Sequence, residues 1–249
     1  MSRPLFVRSR EPGKRRRAKA ARKVRLTREV IVATAMALAD EKGFAALSMR
    51  RLAKQLGVVP MALYRHFRNR GDLVDAMIDR AAREIVLPSE SLDWKITLAE
   101  LARAIRNAVL RHPGLTSALV LRPSLGQGAI RLGEPAYRAL RAAGFADDDV
   151  VRVWNLVVMY ALGFSVFEAP RRAAHGVVDA MPVDHTLDAI YATLSPEEFP
   201  HTRALTPDPE EFISDWQFEY GLIAILTGIA SRLAERKQKP AGHRASRQR

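Results

Sequence analysis

The chain has 249 residues, 48% of them hydrophobic, with no cysteine and a formal charge of +13. Disulfides and thiolate metal sites are thereby excluded, and the length suffices for one large domain or two unequal ones. The charge is uneven: residues 1–25 hold eleven Lys or Arg against Glu11 alone, and residues 236–249 add six basic residues and no acid, which leaves −3 for residues 26–235.

Such tails suit a polyanion, nucleic acid before membrane, because no apolar face accompanies them. Solvated tails that aid solubility fit the charge equally well. The opening MSRPLFVRSREPGKRRR lacks the apolar core of a signal peptide. The longest apolar segments, 153–167 and 221–230, fall short of the roughly 18–20 residues that a membrane span requires. A soluble, intracellular protein without a membrane partner is expected.

Apolar residues recur three and four apart without long period-two alternation, which predicts an all-α chain. Residues 1–24 form a disordered basic arm. Thr27 then caps a first helix with Glu29 in its first turn, Ile31, Ala35, Leu38 and Ala39 on one stripe, and Gly43 at its end. Ser48 caps a second helix carrying Leu52, Ala53 and Leu56, stopped by Gly57. Pro60 stands in the first turn of a third, from which Leu63 and Phe67 face inward. Asn69 and Asp72 resemble a capping box and open a fourth helix through Leu73, Met77 and Ala81. The two short helices joined by Gly57-Val58-Val59 make a helix-turn-helix unit. Beyond Pro88, helices are predicted at about 92–112, 115–121, 126–143, 147–169, 184–194 and 208–235, punctuated by Pro113, Gly114, Pro123, Gly144 and Pro170. The stretch 170–207 is the least regular.

The series Leu47-Ser48-Met49-Arg50, Leu52-Ala53, Leu56-Gly57-Val58, Leu63-Tyr64, His66-Phe67 and Leu73 resembles the DNA-binding half of the TetR family of bacterial repressors over residues 26–82. Farther on, RHPGL, LRAAGF and LSPEEFPHTRAL are more loosely similar to the ligand-binding domain of one branch of that family. The resemblance implies three DNA-binding helices at 25–71, an all-helical ligand-binding and dimerisation domain at 72–235, and a basic tail at 236–249. It further implies a homodimer built on two long helices, operator DNA as partner, and a small-molecule inducer. A cytoplasmic, nucleoid-associated bacterial protein follows from it.

A recognition helix offers its N-terminal residues to base edges; here these are Pro60, Met61, Ala62, Tyr64 and Arg65. Apolar tips contact thymine methyls but do not tell G from A by hydrogen bonding, so that readout falls to Arg65 and to Arg50. By resemblance Tyr64 and His66 touch phosphates, as do Ser48 and Arg70 at helix N-termini. Tyr64 packed into the small core is the alternative for that ring, and Arg68 suits a solvated face. No second histidine stands three or four residues from His66, which argues against a metal there. Arg15, Arg16 and Arg17 are candidates for insertion into an adjacent minor groove.

Residues 150–167 are apolar nearly all round, which means burial on more than one side. The final helix, with Ile213, Trp216, Tyr220, Ile223, Leu226 and Ile229, reads the same way. One side suits the ligand cavity and the other a partner subunit, two such helices from each subunit making a four-helix interface; an ordinary monomeric core is the alternative, which the resemblance makes the weaker. Met77, His112, Trp154, Asn155 and Met159 are the pocket candidates, each also compatible with a plain core position. The lining suits a largely hydrophobic ligand with one or two hydrogen-bonding groups. No catalytic, metal or cofactor site is expected: the six histidines are scattered, and GQGAIRLG at 126–133 fails the dinucleotide spacing and follows no predicted strand. Non-specific nucleic-acid binding through the tails, or activation by the same fold, stand as alternatives to repression.

Overall fold

The computed structural model describes residues 25–89, 93–121, 126–174, 189–205 and 213–238, and these are helices and connecting turns with no strand among them. The N-terminal helices are α1 (Arg28–Lys42), α2 (Met49–Leu56), α3 (Pro60–Tyr64) and α4 (Arg70–Arg83). They are followed by α5 (Trp94–Arg111), α6 (Thr116–Leu121), α7 (Gln127–Ile130), α8 (Gly133–Ala142), α9 (Asp147–Ala174), α10 (Pro200–Ala204) and α11 (Asp215–Gln238). A helical turn at 189–193 precedes α10.

Helix starts follow the expected chemistry. Thr27 accepts a hydrogen bond from the Val30 N–H, Ser48 from Arg51 and Asn69 from Asp72, each satisfying an amide that has no partner within its helix. The box at α4 is displaced by one residue: the Asp72 carboxylate accepts from the Arg68 N–H at 3.0 Å instead of from Asn69. Gly57 ends α2 in the left-handed region at φ 66°, where a Cβ is strained.

Two apolar cores result. In the first, Ile31, Leu38, Leu52, Leu63, Phe67, Leu73 and Met77 are fully buried or nearly so, and Leu115 and Ala118 from the α5–α6 region close it. Each such side chain contributes about 1.5–3 kcal/mol, enough to fix three short helices that have little stability alone. The second core lies among α5, α8, α9 and α11 around Leu98, Leu101, Ala136, Leu140, Val157, Phe218 and Leu222.

Three expectations need correction. The predicted helix at 126–143 is two helices, α7 and α8, separated by a turn at Arg131-Leu132. Its break is set by tertiary contacts, since the Arg131 side chain turns back to the carbonyls of Ala82, Arg83 and Ile85. The helix predicted to end near Pro170 runs through it to Ala174. Arg172 beyond the proline bonds Glu168 at 2.7 Å and Asp215 at 2.6 Å, and these ion pairs hold the turn although the proline nitrogen donates nothing. Finally, with its polar ends included, residues 147–172 form a helix with a window of mean hydropathy 1.7, long and apolar enough by length and composition to cross a membrane. The sequence reading counted only the central apolar run. Val150, Val153, Val157, Ala161 and Ala169 of this helix are buried in the protein core, and Glu168, fully buried, is ion-paired within it.

Charges tie the long helices together. Arg106 of α5 binds both oxygens of Glu168 on α9 and reaches Asp215 of α11 at 2.5 Å, with its guanidinium 4.6 Å from the Phe218 ring centroid. Arg103 holds Glu219 through two bonds at 2.7 and 2.6 Å. The Arg103 hydrogen bond outweighs partial burial and holds the Glu219 carboxyl below its ordinary range; Arg106 does the same for Asp215. A lowered carboxyl gives stability that is complete above its unfolded value and is lost as pH falls through its folded one. The stability difference between the wild type and Arg103→Gln should therefore be present at pH 7 and close below about pH 4. Thermal melts from pH 7 to pH 3 measure it, and a difference that does not shrink on acidification would refute the assignment.

Candidate functional site

The α2–turn–α3 unit presents one face outward. Leu63 and Phe67 anchor α3 in the core, so the helical period turns Pro60, Met61, Tyr64 and Arg65 to solvent, while Ala62 is half-buried. Met61 is 70% exposed and Tyr64 44%, which removes the alternative of a core tyrosine. Arg50 lies exposed on α2, and a shallow groove runs past Ser48, Arg50, Arg51, Lys54, Val58 and Pro60. Lys54 was missed from the sequence although it stands one turn from Arg50 on the same face.

Other expected contacts are arranged differently. The Arg70 guanidinium is turned inward to the carbonyls of Leu47 at 2.9 Å and Phe44 at 3.2 Å and lies over the Phe44 ring. It braces the approach to α2 and remains exposed to solvent. His66 is half-buried, and its carbonyl accepts from Arg28 at 2.6 Å. Arg28, which the sequence reading passed over, also covers the Phe67 ring and pairs with Asp72, so it fixes α1, α3 and α4 together. Arg15, Arg16 and Arg17 lie outside the described residues.

Behind this unit is an apolar cavity of about 400 Å³. Ile78, Ala81, Ala82 and Ile85 form its α4 wall, and Ile105, Ala108, Val109 and His112 its α5 wall. Leu115, Leu119, Ala129, Ile130, Leu132 and Tyr137 extend the lining, and α9 closes it with Trp154, Asn155, Val158, Met159 and Leu162. Four of the five pocket candidates meet here: His112, Trp154, Asn155 and Met159. Met77 does not, because it is fully buried in the first core; its neighbour Ile78, about 100° further round the helix, faces the cavity instead. Trp154 meets Tyr137 edge to face at 6.4 Å, while Asn155 and Met159 are exposed at the rim. A concave apolar space with a few convergent polar groups has the character of a small-molecule site. A second cavity, of about 330 Å³ between the α8–α9 turn and the end of α11, is rimmed by Arg152, Arg232 and Arg236, with Arg236 and Arg152 already paired to Asp149.

Helix α4 separates the outward face from the large cavity and is gripped on two sides. On one side Asp79 accepts from the Gly128 N–H at 2.6 Å, Arg83 reaches Gln127, and Arg131 caps the α4 carbonyls. The glycine is required there, since a Cβ on Gly128 would stand 2.4 Å from the Asp79 carbonyl oxygen. The GQG sequence that fits no phosphate loop is thus a helix-packing device. On the other side His112 contacts Asp40 of α1 through Nδ1 at 3.0 Å and Glu84 at the end of α4 through Nε2 at 2.9 Å. Partial burial pushes the Glu84 carboxyl up, but the bonds and charges of His112 and Arg80 outweigh this and hold it low.

Residues 31–77 match the family model described as bacterial regulatory proteins, tetR family, and residues 87–233 match the tetracyclin repressor-like C-terminal domain. The chain belongs to the TetR family. It is therefore a DNA-binding transcriptional regulator and not an enzyme. Among its relatives, the transcriptional repressor DrrR1 of Streptomyces coeruleorubidus is 30% identical over 232 residues, covering 91% of this chain and 85% of that protein. Among solved structures, Streptomyces coelicolor ActR in complex with actinorhodin aligns with TM-score 0.73 and 27% identity over 84% of this chain and 98% of ActR. BioQ of Mycobacterium smegmatis aligns at TM-score 0.62 and 32% identity, covering 83% of this chain and 98% of BioQ. BioQ with its double-stranded DNA operator aligns at TM-score 0.52 and 36% identity, covering 59% and 90%.

The junction between the TetR-type reading unit and the cavity is tight. A Cβ on Gly114 would lie 2.3 Å from the Ala39 carbonyl carbon and oxygen, backbone that cannot swing aside. Gly114→Ala should cost about 1–3 kcal/mol by overpacking, measured by urea unfolding. A change below about 0.5 kcal/mol, the usual range for a surface substitution, would show that α1 does not rest on this turn.

Proposed function

We propose that this regulator is a repressor that binds an inverted-repeat operator as a homodimer and is released by a small, largely apolar molecule held in the cavity. The observation that carries this reading is that α4 bears the helix-turn-helix unit at one end and supplies a cavity wall at the other. A molecule that fits the cavity better in one position of α4 than in another shifts the populations of the two, by its preference between them and no more. DrrR1 is named a repressor, ActR binds actinorhodin and BioQ binds a DNA operator; each supports the corresponding part.

On the DNA, Arg50 and Arg65 supply hydrogen-bonded readout, the apolar tip Pro60-Met61-Ala62 meets thymine methyls, and Tyr64, His66 and Ser48 position the unit on the backbone. Arg70, which braces α2 and stays exposed, joins them at the phosphates. The arm with Arg15, Arg16 and Arg17 enters the adjacent minor groove. The unit at 25–71 reads the DNA, and 72–235 binds ligand and partner.

Dimerisation uses the faces that α9 and α11 leave uncovered. Val151, Met159 and Phe167 are exposed on α9; Trp216, Tyr220 and Ile223 are exposed on α11, with the two rings stacked at 5.4 Å. Pairing such apolar faces into a four-helix interface removes them from water. The two recognition helices then fit successive major grooves about 34–36 Å apart. The protein acts in the bacterial cytoplasm at the nucleoid, without a membrane.

Selection of genomic DNA fragments by the full-length protein, at near-physiological salt, should recover an inverted repeat whose binding is lost in Arg50→Ala and weakened in Tyr64→Phe. Recovery of no preferred sequence, with binding intact in both variants, would mean that the basic tails alone hold DNA. Deleting residues 1–24 should weaken operator binding and reduce the steepness of its salt dependence. An unchanged affinity and slope would reduce the arm to a solubility tail.

A further inference from the structure

We propose that His112 is the recognition group for the effector, and that an effector oxygen bonds it by displacing Glu84, so opening the clasp between the C-terminal end of α4 and His112. This rests on the reading of the cavity as the effector site. His112 lines the cavity, yet neither ring nitrogen is free to serve a ligand, because Nδ1 is held by Asp40 and Nε2 by Glu84. An acceptor oxygen that enters a full hydrogen bond with the ring therefore has to dislodge one carboxylate.

The two carboxylates are not equally held. The second oxygen of Asp40 accepts from the Gly114 N–H at 3.1 Å, and the Ala39 backbone lies against Gly114, so Asp40 is pinned on both sides. Glu84 has a place to go: Arg80, one turn back on α4, already meets its other oxygen at 3.3 Å. On leaving His112 the Glu84 carboxylate keeps a charged partner, and the exchange trades one charge-assisted bond for another. The consequence is mechanical. Glu84 is the clasp from the end of α4 to His112, whereas Asp40 links α1 to the same histidine, so the exchange opens the α5-side clasp of α4 while its α7-side clasps and α1 stay in place.

The chemistry of the effector follows. No Lys, Arg, Asp or Glu is among the described lining residues, which leaves the His112 ring, both of whose nitrogens face carboxylates, as the wall group suited to an acceptor oxygen. The matching ligand is an apolar body with an acceptor oxygen on its edge, a carboxylate or phenolate ahead of a neutral carbonyl. A ligand ammonium is disfavoured, since it carries donors only and has no acceptor for the His112 ring, whose nitrogens face Asp40 and Glu84.

The test measures, by calorimetry on the full-length protein, the binding of naphthalene, 1-naphthoate and 1-naphthylmethylammonium. Naphthoate should bind wild type about tenfold more tightly than naphthalene, as expected for a hydrogen bond to a charged group, and the ammonium no more tightly. Glu84→Gln should widen the naphthoate advantage and should weaken operator binding with no probe present. His112→Phe should abolish the advantage at unchanged naphthalene affinity, which also shows that the cavity is folded. His112→Gln, which keeps an N–H donor, should restore part of it. An advantage that survives His112→Phe, or that Glu84→Gln leaves unchanged, overturns the exchange, and tighter binding of the ammonium overturns the ligand class. If neither naphthalene nor naphthoate binds wild type while operator binding is intact, the reading of the cavity itself falls, and the exchange with it.

Discussion

Everything in this molecule depends on one helix being buried from both sides. Along α4, Leu73, Val74 and Met77 complete the core that holds the reading unit, while Ala81, Ala82 and Ile85 wall the cavity. With 14 residues, it is short for a helix that must keep its place without tertiary support. Its position is therefore set by what grips it: apolar packing toward α1, and polar clasps toward α5 and α7. Such clasps have discrete partners, and a helix held by them has discrete positions, which a binding event can repopulate.

The rigid counterpart of that lever lies at the far side of the second core. Arg106, Glu168, Asp215 and Arg172 join α5, α9 and α11 through bidentate and bridging bonds, beneath the Phe164 and Phe218 rings. A buried pair of this kind is a poor source of net stability, because desolvation offsets most of the attraction. It is strict about geometry, however, since leaving either partner alone is costly. The three long helices are thus tied in mutual register by these pairs. Helix α9 shares in both roles: its inner residues pack the core, its outer ones stand exposed, and at the cavity the buried Trp154 adjoins the exposed Asn155 and Met159.

Much of the reading unit was legible from local chemistry. Thr27, Ser48 and Asn69 as caps, Gly57 as a stop, Pro60 at a first turn, and Leu63 with Phe67 as anchors are short-range rules, and the backbone obeys them. The cavity was legible in part. His112, Trp154, Asn155 and Met159 were found as polar or soft residues among apolar neighbours, and they converge. Met77 was misjudged because periodicity tells that a face is buried but not which of two cores buries it. Lys54 was missed for a simpler reason, as an exposed lysine on a short helix has no pattern to set it apart. Arg28, Arg70 and Arg131 read as surface charges until their partners, 23 to 49 residues away in sequence, are brought alongside.

The sequence by itself determined the helical class, the caps that open the first helices, the Gly43 and Gly57 stops and the outward face of α3, because caps, turns and helical period act over a few residues. Only the tertiary structure decided where α4 points its two sides, why α9 continues through Pro170, why Gly128 must lack a side chain, and that His112 joins Asp40 to Glu84. Each of these depends on groups far apart along the chain meeting at hydrogen-bonding or van der Waals distance, and no local pattern carries that information.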